Sequence, residues 1–155
     1  MNGLTLTLRT LHHGEQHLAG QLTTVAGRHR AEHEVHHVAT DLAEWSRRHT
    51  ERLAEAARTH HLDLALDPRA GAARAAGAVP RHPEPGLLLL RDLRELHLSA
   101  AENSLHWEML AQLAQATRDE ELLAVVSACH PQTLRQMRWT DTLIKTLAPQ
   151  ILTSL

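Results

Sequence analysis

Five polar residues stand where helical stripes of apolar side chains ought to be unbroken. Glu15 falls midway between Leu11 and Leu18, and His49 midway between Trp45 and Leu53. Asn103 separates Ala100 from Trp107, while Thr133 and Gln136 follow Cys129 along a fourth stripe. A carboxylate, an imidazole and side-chain amides at such positions point into the core, where an unpaired charge is strongly unfavourable. Three arrangements satisfy that constraint. In the first, Glu15 and His49 pair within a hydrogen-bonded polar layer that includes Asn103, Thr133 and Gln136. In the second, Glu15 and His49 hold a transition metal such as iron, manganese or zinc, with Glu102 and His130 completing the ligand set. In the third, the layer lines a buried ligand pocket beside Pro131. Helical phase favours the first, because Glu102, His130 and His106 all fall off their stripes. One carboxylate and one imidazole make a thin donor set for a metal.

Other chemistry is less well supported. His29, His33 and His37 recur every four residues, a spacing that suits Zn²⁺ or Cu²⁺ on a helix surface, but solvated histidines explain them more simply. Cys129 sits on an apolar stripe, as a buried inert thiol does. There is no Ser/His/Asp order, no phosphate-cradling glycine loop and no zinc-knuckle spacing. The three Trp fall at core spacing and read as packing residues.

The elements that position these residues are four helices, expected at about 4–26, 33–61, 87–117 and 119–147 of one domain. The first carries Leu4, Leu8, Leu11, Leu18, Leu22 and Val25 on one face, and the second Val35, Val38, Leu42, Trp45, Leu53 and Ala56. Folding one back on the other about a turn near residue 31 sets Glu15 beside residue 47, within about one helical turn of His49. The third presents Leu89, Leu93, Leu96, Ala100, Trp107, Leu110 and Ala114. The fourth presents Leu122, Val126, Thr140, Leu143 and Leu147, and the same reflection about residue 118 sets Asn103 opposite Thr133. Thr117 and Glu120 suggest a capping box. Pro131 predicts a kink or split, and Pro149 a stop. Between the hairpins, residues 62–86 hold Pro68, Gly71, Gly77, Pro80, Pro83, Pro85 and Gly86. That density excludes one regular helix, a short turn near Ala72 to Ala76 aside, and suits a crossover along the bundle.

Two antiparallel helical hairpins joined by a long Pro/Gly/Ala-rich crossover resemble the ferritin-like superfamily. The run Leu87-Leu88-Leu89-Leu90-Arg91-Asp92-Leu93, with Trp107, Asp119-Glu120-Glu121-Leu122-Leu123, Trp139 and Ala148-Pro149-Gln150, is also similar to small ferritin-like bundles of actinobacteria. The resemblance implies an all-α ferritin-like four-helix bundle. It also raises a metal site of Glu-x-x-His pairs with oxygen chemistry. Here the sole Glu-x-x-His, Glu34 to His37, lies at the start of helix 2 with its phase turned outward.

Composition narrows the class further. The 155 residues are 43% hydrophobic yet hold no Phe and no Tyr, a helix-forming balance dominated by Leu and Ala. A formal charge of −2, with arginines interleaved among glutamates, argues against a nucleic-acid footprint. No apolar run approaches the ~20 residues that span a bilayer. Met1 to Thr10 lacks the pattern of a secretory signal, and a single cysteine suits a reducing compartment, so a cytoplasmic protein is expected. Fourteen histidines are numerous enough to raise a pH response. Two function classes follow: a non-catalytic bundle that binds a protein partner or forms a homodimer, and a metal-binding protein centred on Glu15 and His49.

Overall fold

The computed structural model describes residues 2–65 and 84–155, and all of its regular structure is helical: α1 (Gly3–Arg28), α2 (His33–Thr59), α3 (Pro85–Ala116) and α4 (Glu120–Thr153). Most of the expected crossover, including the turn near Ala72 to Ala76, lies outside the described residues. α1 packs on α2 and α3, α4 packs on α3, and α2 meets α4 more sparsely. The helices thus form a four-sided bundle in the ring order α1, α2, α4, α3.

Two apolar clusters fix the directions. One holds Leu18, Leu22 and Val25 with Val35, Leu42, Leu89, Leu93, Leu96 and Leu143. The other holds Leu8 and Leu11 with Leu53, Leu64, Trp107, Leu110, Leu122 and Val126. The end of α1 therefore meets the start of α3, and every pair of neighbouring helices is antiparallel. Leu64 belongs to one cluster while Leu89 belongs to the other, so the chain leaves one end of the bundle and re-enters at the opposite end. Arg9 Nε donates to the Leu64 carbonyl at 2.7 Å and ties the start of that connection to α1.

The helix ends follow local chemistry. Asn2 caps α1 by accepting from the Thr5 amide at 2.7 Å. Pro85 opens α3 at its first turn, where a missing N–H costs nothing. The cap of α4 is Asp119, whose Oδ1 accepts from the Leu122 amide at 3.0 Å. Thr117 instead bonds back to the Leu113 carbonyl at 2.8 Å, so the expected Thr117–Glu120 capping box gives way to the single Asp119 cap two residues later. α2 and α3 each end in a left-handed residue that is not glycine, His61 at φ 56° and Arg118 at φ 55°. Next to them, Leu62 N reaches Ala57 O at 2.8 Å and Asp119 N reaches Ala114 O at 2.9 Å, the 6→1 bond of a Schellman motif.

α4 runs unbroken through Pro131 and Pro149 to Thr153, not split at the first or stopped by the second. Pro131 and Ser127, whose carbonyl loses its helical partner, are both exposed, so the break falls on the solvent side of α4. Most expected core positions are buried, while Leu4, Val38, Trp45 and Leu147 are only partly covered. On α2 the inward line is Ala39, Ala43, Ser46, His49 and Leu53, which sets Trp45 to one side.

Candidate functional site

The two clusters are separated by a polar layer to which all four helices contribute. At its centre is Glu15, with 0% of its surface exposed. Its Oε1 accepts from Ser46 Oγ at 3.0 Å and from Asn103 Nδ2 at 3.4 Å. Its Oε2 accepts from His49 Nδ1 at 2.5 Å and from the Trp107 indole N–H at 3.1 Å. A carboxylate offers about four lone-pair sites, and here four donors address them. The other ring nitrogen of His49, Nε2, lies 2.8 Å from Gln132 Oε1. Trp107 packs edge-on to His49 with ring centroids 5.9 Å apart.

The layer extends through Ser46. Gln136 Nε2 donates to Ser46 Oγ at 2.9 Å and to the Leu42 carbonyl at 3.1 Å, which links α4 to α2. Gln136 Oε1 is buried without a partner. Gly14 makes room on the other side, since a Cβ built there would stand 2.2 Å from Asn103 Oδ1. A glycine inside a helix costs about 1 kcal/mol relative to alanine, and the close approach of Asn103 explains its presence.

Of the residues singled out from sequence, Glu15, His49, Asn103 and Gln136 lie in this one layer. Thr133 is fully buried beside them, yet its hydroxyl turns back to the Cys129 carbonyl at 3.5 Å and makes no bond to Asn103. Ser46 and Gln132 were missed. Ser46 hides next to Trp45, and Gln132 lies one step off its stripe. Trp107 was seen only as packing, although its indole N–H serves the carboxylate.

Glu102 and His130 do not join Glu15 and His49. Glu102 is exposed in a cleft of about 280 Å³ between α1 and α3, with His13, His17 and His106. His130 Nε2 meets Ser104 Oγ at 2.9 Å on the α3–α4 side. Among the described residues no group of three or more His, Cys, Asp or Glu side chains is placed to hold a metal ion. The layer does not fit one either, because the oxygens of Glu15 and both nitrogens of His49 already have partners. A second cleft, about 460 Å³, opens between α2 and α4 near Arg52, Glu55, His60 and Glu121. Neither cleft borders Pro131.

Two further polar links clasp the ends of the bundle. At one end, buried Asp92 on α3 accepts from Arg28 at 2.7 and 2.8 Å and from His29 Nε2 at 2.7 Å. Burial pushes the Asp92 carboxyl up, but the His29 and Arg28 hydrogen bonds and their charge outweigh it and hold it below the usual range. His29 is thus part of this buried link, and only His33 and His37 remain together on the surface, stacked at 6.2 Å. At the other end, His60 Nε2 meets Asp119 Oδ2 at 2.5 Å and its Nδ1 meets the Ala56 carbonyl at 2.7 Å. The hydrogen bonds to Asp119 and Ala56 raise the His60 pKa. The Asp119 carboxyl is lowered by the Leu122 amide and by His60.

Cys129 is buried, and desolvation, then the nearby Glu15 charge, pushes its thiol up to about 12. No helix among the described residues is long and apolar enough to cross a membrane. Comparison with protein-family models, curated proteins and solved structures found no match for this chain.

Proposed function

We propose that this is a non-catalytic, ferritin-like helical bundle that serves as an interaction or structural protein, with its polar layer holding the four helices in register. The ferritin-like assignment is supported by the antiparallel α1–α2 and α3–α4 pairs and by a connection that leaves one end and re-enters at the other. The observation that carries the non-catalytic reading is the saturation of Glu15. Four donors occupy a carboxylate that a metal or a substrate proton would have to reach. A group meant for chemistry keeps a free lone pair facing a cavity, whereas Glu15 is fully enclosed.

The competing reading is a metal-binding protein centred on Glu15 and His49. Elemental analysis of the untagged protein, purified without chelator beside Glu15→Ala and His49→Ala, separates the two. On the proposed reading, any iron, manganese or zinc is substoichiometric and unchanged in the variants. Near-stoichiometric metal in the parent, lost from both variants, would reverse the assignment.

A further inference from the structure

Three large apolar side chains line the outward face of α3: Leu98, Leu105 and Met109 are 56%, 58% and 57% exposed. At about 100° per residue they share one line, diametrically opposite the buried line Ala100, Asn103, Trp107 and Leu110. Leu134 on α4, 43% exposed, widens this patch. The register of the two helices is set by Ser104 Oγ to His130 Nε2 and by His97 Nδ1 to Thr140 Oγ1, both 2.9 Å. Interpolating between those bonds places Leu134 across from Ala101. The patch is therefore centred on a small residue, with Leu98 and Leu105 about one turn to either side of it.

The charges obey the same centre. Arg94 lies seven residues before Ala101 and Glu108 seven after it, both exposed and on the flank shared with Leu134; Arg94 Nη2 stands 3.1 Å from its neighbour Glu95, an exposed pair that is readily exchanged. An apolar centre with opposite charges at equal distances is self-complementary under a twofold rotation, as an isologous dimer interface requires. We propose that the outer face of α3 docks antiparallel on the same face of a second copy of this chain, with the twofold axis at Ala101. Leu98 then meets Leu105 of the second copy, the two Leu134 side chains close the α4 edge, and Arg94 pairs twice with Glu108 across the axis. Glu102 is the adverse charge near the axis, but it lines the α1–α3 cleft with His13, His17 and His106, on the flank away from Leu134. The contact is one helix face with the Leu134 edge of α4, a small surface beside that of a standard interface, so the dimer is expected to be concentration-dependent. This inference rests on the reading of the protein as an interaction module and names its partner.

Sedimentation equilibrium of the full chain across a concentration series tests it. The wild-type chain is expected to show a monomer–dimer equilibrium, and Leu105→Glu to remain monomeric with an unchanged helical circular-dichroism spectrum. Arg94→Glu and Glu108→Arg each place like charges across the axis and weaken association about threefold or more. Combined in one chain, they recreate the pair with reversed sense and restore it. A monomeric wild type, or a dimer that survives Leu105→Glu, overturns the proposal; failure of the double variant to recover overturns the antiparallel alignment. Metal found at Glu15 would overturn the non-catalytic reading and leave these association data standing.

Discussion

Gly14 and Asn103 occupy the same space in turn: where a side chain would begin on α1, the Asn103 amide oxygen stands 2.2 Å from the ideal Cβ position. The amide reaches the Glu15 carboxylate only because that Cβ is missing. Alanine at an ordinary helix position would gain about 1 kcal/mol over glycine. Here Gly14→Ala should destabilise instead, by about 1–3 kcal/mol for an overpacked core site. Pairing it with Asn103→Ala should recover part of that loss. Urea unfolding of the two single variants and the double variant measures the coupling, and simple additivity would show that the contact is unimportant.

Glu15 and His49 are hydrogen-bonded to each other inside the core, so either alone is worse than neither. Glu15→Ala and His49→Ala should each cost about 3–5 kcal/mol, the usual penalty for stranding one member of a buried pair. The double variant should fall well short of the sum. A larger non-additivity is expected with Glu15→Leu and His49→Leu, since apolar replacement of a buried pair is often nearly neutral. Costs below about 1 kcal/mol in the single variants would mean that water reaches the layer.

The polar layer was legible in part from the sequence because it breaks a regular pattern. Glu15, His49, Asn103 and Gln136 each occupy a step of an apolar stripe, and helix geometry alone turns such a step inward. Ser46 left no such mark, since a small polar residue beside Trp45 reads as flank until the packing of α2 rotates the Trp aside. Gln132 was equally silent, being drawn in by the second nitrogen of His49. Asp92 drew no reading of its own from the sequence, since only the meeting of the end of α1 with the start of α3 buries it. The turns were offset because His61 and Arg118 take left-handed conformations that a sequence reading reserves for glycine.

The His60–Asp119 link gives a pH dependence whose sign is fixed. The His60 pKa is raised in the folded state, so its contribution is full below the unfolded value of about 6.5 and fades as pH rises through the folded value. The Asp119 pKa is lowered, so its contribution is present above its unfolded value near 4 and is lost on acidification. The link is strongest in the window between. The Tm difference between wild type and His60→Gln should therefore be largest near pH 5.5 and shrink towards pH 8.5. A difference that is flat over that range would assign the link no electrostatic role.

Cys129 should be unreactive in the folded protein. With its thiol pushed up to about 12 and the side chain buried, the thiolate is scarce at pH 8. A disulfide reagent at that pH should label it only as fast as the protein opens, and addition of urea should accelerate labelling in step with unfolding. Rapid labelling without denaturant would indicate a local opening of α4.

The partners of Glu15 are far apart along the chain: Ser46 and His49 are 31 and 34 residues away, Asn103 and Trp107 are 88 and 92. An isolated α1–α2 hairpin would supply only the first two. Its carboxylate would then face either bulk water or an apolar surface with half its acceptor sites empty, and the second case is penalised. Half-assembled, compact states are thereby disfavoured relative to both the open chain and the complete bundle. The layer thus favours all-or-none folding by raising the energy of what lies between.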